Sequence, residues 1–116
     1  MSHRIQTEIS INQIIDFKMN HKPFIMYFYS EDCGVCHALL PRLKNLVEDY
    51  DIKLIEIDAL KYPSISGQHQ VFTVPTMLIW SEGKEVLRES RFFNFDKISR
   101  TLEFMEIYQE SNTKRC

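Results

Sequence analysis

Stretches of consecutive apolar residues alternate along the chain with stretches in which apolar residues recur at helical spacing. The longest apolar run, 24–29, has no alternation, which is typical of a strand covered on both faces and predicts a central strand. Further strands are predicted over 54–58 and 76–80. Helical spacing over 39–50 separates the first two strands, which is the order of a right-handed parallel crossover. The pattern therefore predicts an α/β fold.

A first helix is predicted ahead of the central strand. Ser10 and Gln13 have the spacing of a capping box, which marks a helix N-terminus. Ile11, Ile14 and Ile15 follow at helical spacing and predict its apolar face.

The C-terminal half of the chain predicts a short helix, a hairpin and a last helix. The polar segment 62–70 is consistent with a short helix between loops, and 81–84 predicts a hairpin turn in which Gly83 adopts positive φ. The charged segment 85–91 predicts an exposed edge strand. A polar tail over 111–116 is expected to fray. The apolar positions that predict the last helix are Phe95, Ile98, Leu102 and Met105.

Size and composition restrict the class of protein. A chain of 116 residues is long enough for one buried core, so one domain over 1–116 is expected. Apolar residues make up 44%, charged residues 26%, and the net charge is −2, which gives no basic surface for nucleic acid. No stretch approaches the roughly 20 apolar residues of a membrane helix. A soluble partner is expected.

The polar N-terminal segment bears on location. The first two dozen residues contain His3, Arg4, Glu8, Asp16 and Lys18, so they lack the apolar run of a secretory signal. If Met1 is the true start, we expect a cytoplasmic protein. Structural disulfides are uncommon in that compartment, and a close cysteine pair there is more often catalytic or metal-binding.

The cysteines provide the candidate chemistry. Cys33 and Cys36 form a C-x-x-C pair between a strand and a helix, and Cys116 is left over at the C-terminus. Such a pair also occurs as half of a zinc or iron–sulfur site, but metal needs about four ligands. The additional candidate ligands are only His37, His69 and Cys116, so we expect redox chemistry and no metal. A dimer that shares a metal between two such pairs remains the alternative.

A helix N-terminus makes its cysteine reactive. The positive end of the helix dipole and the unpaired N–H groups bring the pKa of such a thiol to roughly 3.5–7.5. Cys33 is therefore the predicted attacking thiol, and Cys36, one helical turn further, the resolving thiol. Gly34 and Val35 lie between them, and Gly34 has no side chain to obstruct a substrate sulfur.

The chain resembles the thioredoxin family over nearly its whole length. Three features carry the resemblance: Cys33-Gly34-Val35-Cys36 at a strand-to-helix junction, Pro41 within the next helix, and Thr73-Val74-Pro75-Thr76 before a strand. The resemblance implies a thioredoxin-like α/β fold with a central mixed sheet flanked by helices on both faces. It also implies that Pro75 follows a cis peptide bond beside the cysteines. Thr73, Val74 and Pro75 then form the edge that binds the substrate chain.

The resemblance implies a thiol–disulfide oxidoreductase. Cys33 attacks a disulfide of a protein substrate, Cys36 releases the reduced product, and a donor of the thioredoxin-reductase type returns the electrons. No bound cofactor is implied beyond the redox-active Cys33–Cys36 disulfide, and no membrane or nucleic acid partner. The alternative is a thioredoxin-fold binding module dedicated to one partner, with little general reductase activity.

The chain departs from the family at several positions. The buried aspartate and lysine typical of thioredoxins correspond to Tyr27 and Leu54, and we interpret Tyr27 as a core aromatic residue. Their joint loss is coherent because either charge buried alone is costly. Without them, His37 or water is expected to handle the proton of the resolving thiol. Asp32 replaces the family's tryptophan and should oppose ionisation of Cys33.

A further departure follows the edge strand. The family places a glycine there, whereas this chain has Arg91-Phe92-Phe93-Asn94. The bulk of these residues is expected to narrow or reshape the substrate groove.

Overall fold

A computed structural model describes residues 11–115, and the side chains of residues 11–108. Ser10 of the predicted capping box and Cys116 lie outside the described residues. Within them the elements are α1 (Ile11–Met19), β1 (Phe24–Tyr29), α2 (Gly34–Val47), β2 (Lys53–Asp58), α3 (Pro63–Gln68), β3 (Thr76–Ser81), β4 (Lys84–Ser90) and α4 (Phe95–Arg115).

The described strands form one mixed sheet in the order β2-β1-β3-β4. β1 pairs with β2 in parallel, with Tyr27 opposite Glu56, while β3 is antiparallel to both β1 and β4. The inner position of β1 explains its uninterrupted apolar sequence, because neither face meets solvent. The predicted central strand and parallel crossover are confirmed.

Alternate residues of β1 point to two helical layers. Ile25 and Tyr27 pack in a cluster with residues of α2 and α4, which we call the α2–α4 layer. Met26 and Phe28 pack on the other face with Ile14 of α1 and residues of α3, which we call the α1–α3 layer. The sheet is therefore flanked by helices on both faces, as the sequence predicts.

The helices differ from their predicted extents or faces in three places. In α1 only Ile14 is buried, while Ile15, also predicted on the apolar face, is 44% exposed. Phe17 packs on the α1–α3 layer instead, because it lies three residues from Ile14 on the same face of the helix. The helical spacing that predicts α2 runs to Tyr50, but α2 ends at Val47 and Tyr50 packs against the α2–α4 layer from the following turn.

The prediction of a polar C-terminal tail is wrong for residues 111–115. α4 continues through Arg115, because this stretch has neither glycine nor proline to end a helix. No helix within the described part of the chain is long and apolar enough to cross a membrane.

The hairpin between β3 and β4 has the predicted geometry. Glu82 and Gly83 adopt φ values of 56° and 76°, and two consecutive positive φ angles make the turn that matches the twist of the flanking strands. β4 pairs with β3 alone among the described strands, and each of its residues is exposed or only partly buried. The predicted edge strand is confirmed.

A buried histidine joins α1 to the end of α3. Lys18 Nζ donates to His69 Nε2 at 2.8 Å, and His69 Nδ1 donates to the Ile65 carbonyl at 2.9 Å. Lys18 Nζ also lies 4.1 Å from the centre of the Trp80 ring. Burial lowers the pKa of His69 from its ordinary value of 6.5, and it also lowers the pKa of Lys18. The imidazole is therefore neutral at neutral pH, and its Nε2 accepts a hydrogen bond from the Lys18 ammonium.

We expect this histidine to make stability fall in mild acid. Its pKa is lower in the folded than in the unfolded chain, so its contribution is complete above about pH 6.5 and is lost as the unfolded chain takes up the proton below that pH. Urea unfolding at about pH 7 and about pH 5 should show a smaller pH difference in His69→Gln than in the unaltered protein. The exposed His37, changed to glutamine, serves as control. Equal pH differences in all three proteins would contradict this assignment.

Candidate active site

The cysteine pair lies where the central strand passes into α2. β1 ends at Tyr29, and the Cys33 N–H donates to the Ser30 carbonyl at 3.2 Å, which closes the turn that leads into the helix. Cys33 is the N-cap of α2, with φ −95° and ψ 99°, and the helix begins at Gly34. A disulfide joins Cys33 and Cys36, whose Cα atoms are 5.3 Å apart. The predicted pair is therefore placed at the helix start.

The two cysteines differ in burial. Cys36 is buried, with 1% exposure, whereas Cys33 is partly exposed. Val35 is 56% exposed, and a Cβ added to Gly34 would contact no atom within 4 Å. No other part of the described chain occupies the space beside Gly34. Cys33 is therefore the more accessible cysteine of the pair, and its role as the attacking thiol stays a prediction.

The helix start provides hydrogen bonding for the Cys33 sulfur. The Cys36 N–H donates to Cys33 Sγ at 3.1 Å, so the side chain accepts one of the N–H groups that the helix leaves free. α2 has no acidic residue in its first turn to oppose the positive end of its dipole. A thiolate formed at this position is stabilised by both effects.

The segment 73–75 is built as the resemblance implies. The Val74–Pro75 peptide bond is cis, and Pro75 is buried. Thr76 Oγ1 donates to the Thr73 carbonyl at 2.7 Å, which fixes the turn ahead of β3. Val74 packs against the α2–α4 layer, as does Cys33. The structure therefore brings the predicted substrate-binding segment to the same layer as the cysteines.

Arg91 explains why a glycine suits the position after the edge strand. Its backbone has φ 66°, and its N–H donates to the Pro75 carbonyl at 2.8 Å. This left-handed conformation costs a residue with a Cβ about 1–2 kcal/mol. The strained residue thus holds the segment that carries Pro75.

We expect Arg91→Gly to stabilise the protein. Relief of the left-handed conformation outweighs the greater freedom of glycine in the unfolded chain, for a net gain of about 0.5 kcal/mol. Denaturant unfolding measures the change, and Phe92→Gly is a matched control because Phe92 does not adopt positive φ. A loss of stability in Arg91→Gly as large as in the control would show that the strain is absent.

The acidic residues and the histidine beside the pair make contacts of their own. Ser30 Oγ donates to Asp32 Oδ1 at 3.3 Å, and Asp32 is exposed. His37 Nε2 lies 2.8 Å from the Glu31 carbonyl, and the imidazole packs edge-on against Tyr29 with centroids 6.2 Å apart. These contacts place His37 on the outer side of the helix start. Its role in proton transfer stays a prediction.

Tyr27 is a site residue that the sequence interpretation missed. Its side chain is buried, with 0% exposure, as expected of a core aromatic residue, but its hydroxyl donates to the Cys36 carbonyl at 2.6 Å. Burial and the Glu56 carboxylate raise the pKa of Tyr27 to about 12, so the hydroxyl keeps its proton. The available signal was its correspondence to the family's buried aspartate beside the cysteines.

Glu56 lies near Tyr27 and was not predicted as a site residue. Its Oε2 atom is buried without a hydrogen-bond partner and lies 3.4 Å from Lys44 Nζ of α2. Leu54, where thioredoxins typically have a lysine, is buried in the same layer as Tyr27. An ion pair between β2 and α2 thus stands close to the position of the missing aspartate–lysine pair.

Metal ligands are not gathered at this site. Among the described residues, no group of three or more histidine, cysteine, aspartate or glutamate side chains is arranged to hold a metal ion.

The geometry defines a class of protein. A C-x-x-C disulfide at a helix start, with one partly exposed cysteine and a cis-proline segment packed against the same layer, is the site of a thiol–disulfide oxidoreductase. The chain belongs to the thioredoxin family, whose sequence model, described as Thioredoxin, matches residues 6–103.

Known relatives agree with this membership. The thioredoxin-like protein YdfQ of Bacillus subtilis is 37% identical over 80% of this chain and 84% of its own length. The chloroplastic thioredoxin Y2 of Arabidopsis thaliana is 32% identical over 65% of this chain, which spans 47% of that relative. Among solved structures, thioredoxin 1 of Thermosipho africanus has a TM-score of 0.67 at 36% identity, with 74% of this chain and 98% of that chain covered.

Proposed function

We propose that this chain exchanges disulfides with protein substrates, with Cys33 as the attacking and Cys36 as the resolving thiol. The observation that carries the proposal is the asymmetry of the pair. Cys33 is partly exposed and its sulfur accepts a hydrogen bond from the Cys36 N–H at the start of α2, while Cys36 is buried one turn along.

The reaction conserves atoms and electrons through two exchanges. The Cys33 thiolate attacks one sulfur of a substrate disulfide, forms a mixed disulfide and displaces the other substrate sulfur as a thiolate, which takes up a proton. Cys36 loses its thiol proton and attacks Cys33 Sγ, which forms the Cys33–Cys36 disulfide and displaces the second substrate thiolate. The substrate gains the two electrons that the dithiol loses, and a dithiol donor of the thioredoxin-reductase type restores them.

Two exposed aromatic side chains support a protein as substrate. Phe72, two residues before Val74, is 85% exposed, and Phe92, directly after the Arg91 that binds the Pro75 carbonyl, is 87% exposed. Large exposed rings beside a peptide-binding edge are typical of a contact surface. The substrate chain is proposed to lie along Val74 and Pro75, with apolar side chains on these rings.

No bound cofactor is needed in this scheme, because the two sulfurs themselves carry the electrons. We propose that the protein works in the reducing cytoplasm, where structural disulfides are uncommon and a close cysteine pair is more often catalytic or metal-binding.

A turnover assay tests the proposed function. The protein, kept reduced by dithiothreitol, should accelerate reduction of a model protein disulfide. Cys33→Ser should reduce the rate to that of dithiothreitol alone. Cys116→Ser is the matched control, since it also removes one thiol and is expected to keep full activity. Full activity in Cys33→Ser would refute the proposal.

The aromatic rings also fit the second candidate function, a binding module for one dedicated partner. In that case the protein does not accelerate the reduction of disulfides in model protein substrates. It binds one partner protein instead, with an affinity that depends on whether the cysteine pair is oxidised or reduced. Substitution of Phe72 and Phe92 by serine would then abolish binding without any change in the redox equilibrium.

Asp32 is expected to oppose ionisation of Cys33. A carboxylate about 6 Å from the sulfur in solvent-like dielectric costs about 0.7 kcal/mol, or roughly half a pK unit. Asp32→Asn should therefore lower the pKa of the Cys33 thiol, measured by thiolate absorbance against pH in the Cys116→Ser background. Asp51→Asn, at an exposed position outside the site, is the charge-matched control. An increase in the pKa would contradict the electrostatic argument.

A further inference from the structure

Cys36 connects two hydrogen bonds that meet at the redox pair. Its N–H donates to Cys33 Sγ at 3.1 Å, and its carbonyl accepts from the Tyr27 hydroxyl at 2.6 Å. Tyr27 belongs to the rigid centre of the sheet, since β1 is paired on both sides and the tyrosine side chain is fully buried. The Tyr27 hydroxyl thereby hydrogen-bonds the first turn of α2 to the central strand.

Pro41 makes this attachment more important. It lies inside α2 and has no N–H, so the helix cannot form the bond from residue 41 to the His37 carbonyl. The first turn of α2 is therefore held by fewer of its own hydrogen bonds than an uninterrupted helix provides. The Tyr27 hydroxyl supplies one bond to this turn from outside the helix.

We propose that Tyr27 is a positioning residue for the redox pair: its hydroxyl fixes the Cys36 backbone so that the Cys36 N–H stays directed at Cys33 Sγ. The proposal rests on the proposed function, because it concerns the same two sulfurs. It assigns Tyr27 a role other than acid–base transfer, since a phenol held by a carbonyl donates a hydrogen bond and keeps its proton.

The surrounding charges are consistent with a neutral donor. Burial raises the pKa of Tyr27, and the Glu56 carboxylate on β2 adds to the increase, to about 12. Lys44 of α2 pairs with Glu56 at 3.4 Å. On the outer side, Asp32 and His37 contact Ser30 and Glu31 through the bonds described above. The tyrosine therefore remains protonated across the pH range in which Cys33 ionises.

Removal of the hydroxyl should weaken the thiolate. In Tyr27→Phe the ring and its packing remain, while Cys36 loses its bond to β1 and its N–H is held less well on the sulfur. We expect the pKa of Cys33 to rise. A less stable thiolate also disfavours the dithiol, so the oxidation equilibrium with glutathione should shift roughly three- to tenfold toward the disulfide, as loss of one buried hydrogen bond implies.

The test compares Tyr27→Phe with Tyr50→Phe in the full chain carrying Cys116→Ser. Tyr50 packs on the same layer, and its hydroxyl lies 3.4 Å from Ser99 Oγ, so this control also removes one phenolic oxygen. Thiolate absorbance and the glutathione equilibrium should change only in Tyr27→Phe, and the Cys36 amide of its reduced form should exchange hydrogen faster. No change in these quantities, or an equal change in both variants, would show that Tyr27 only packs.

These measurements separate this proposal from the proposed function. They use equilibria of the cysteine pair alone and require no protein substrate. If the protein fails to reduce protein disulfides while Tyr27→Phe shifts the thiol pKa, the proposed function fails and the role of Tyr27 stands. If turnover is confirmed and the pKa does not shift, only the role of Tyr27 is refuted.

Discussion

Cys36→Ser is expected to convert the protein into a covalent trap for its substrates. Without the buried second thiol, the Cys33 thiolate still attacks a substrate disulfide, but nothing within the site displaces the substrate from Cys33 Sγ. Turnover should fall to background while mixed disulfides accumulate. They are detected by non-reducing electrophoresis and mass spectrometry after incubation with disulfide-bearing proteins.

The cysteine variants control one another. Cys33→Ser should neither turn over nor trap, because Cys36 is buried and out of reach of a protein substrate. An enzyme with broad specificity should trap many proteins, whereas a dedicated module should trap one or a few. Turnover by Cys36→Ser at the rate of the unaltered protein would refute its assignment as resolving thiol.

Charges introduced at Tyr27 and Leu54 should destabilise the protein strongly when introduced singly and much less than additively together. Both side chains are buried in the α2–α4 layer on neighbouring strands, with Leu54 opposite Ile25 and Glu56 opposite Tyr27. A buried charge without a partner costs about 3–5 kcal/mol, so Tyr27→Asp and Leu54→Lys should each lose about that much. This is a large share of a typical stability of 5–15 kcal/mol.

The double variant provides the measurement. Tyr27 and Leu54 are diagonal neighbours on the same face of the sheet, so the double variant should recover at least about 1 kcal/mol relative to the sum of the single losses. Denaturant unfolding of the four proteins completes the cycle. Tyr27→Phe with Leu54→Met is the uncharged control cycle and should be additive. Strictly additive losses in the charged cycle would show that the positions do not interact.

The sheet could be predicted from the sequence because its signals are local. The run 24–29 coincides with β1, since an inner strand between two helical layers needs apolar residues at every position. The hairpin at Gly83 follows from backbone preference alone. The cysteine pair was also predictable, because its spacing and its position at a helix start are both visible in the chain.

Other features depend on contacts between distant segments. The bond from Tyr27 to the Cys36 carbonyl joins residues nine apart in the chain, and the sequence shows only an aromatic residue in an apolar run. The pairing of Glu56 with Lys44 likewise requires the packing of α2 on β2. The end of α4 cannot be read from polarity alone, because a polar stretch without glycine or proline is compatible both with a tail and with a continuing helix.

The missing aspartate and the observed tyrosine together suggest how this chain differs from typical thioredoxins. A carboxylate at this position would be able to change its charge, whereas the Tyr27 hydroxyl donates to the Cys36 carbonyl and keeps its proton. The redox pair is thus supported by a hydrogen bond that does not depend on pH over the range in which the thiols ionise.

The most direct test of Cys33 as the attacking thiol is site-resolved alkylation of the reduced Cys116→Ser protein with limiting iodoacetamide at a series of pH values. We predict that Cys33 takes the label before Cys36, with a rate that rises with pH through a midpoint in the range of roughly 3.5–7.5. Labelling of Cys36 first, or of both cysteines with the midpoint of about 8.5 of a free thiol, would contradict it.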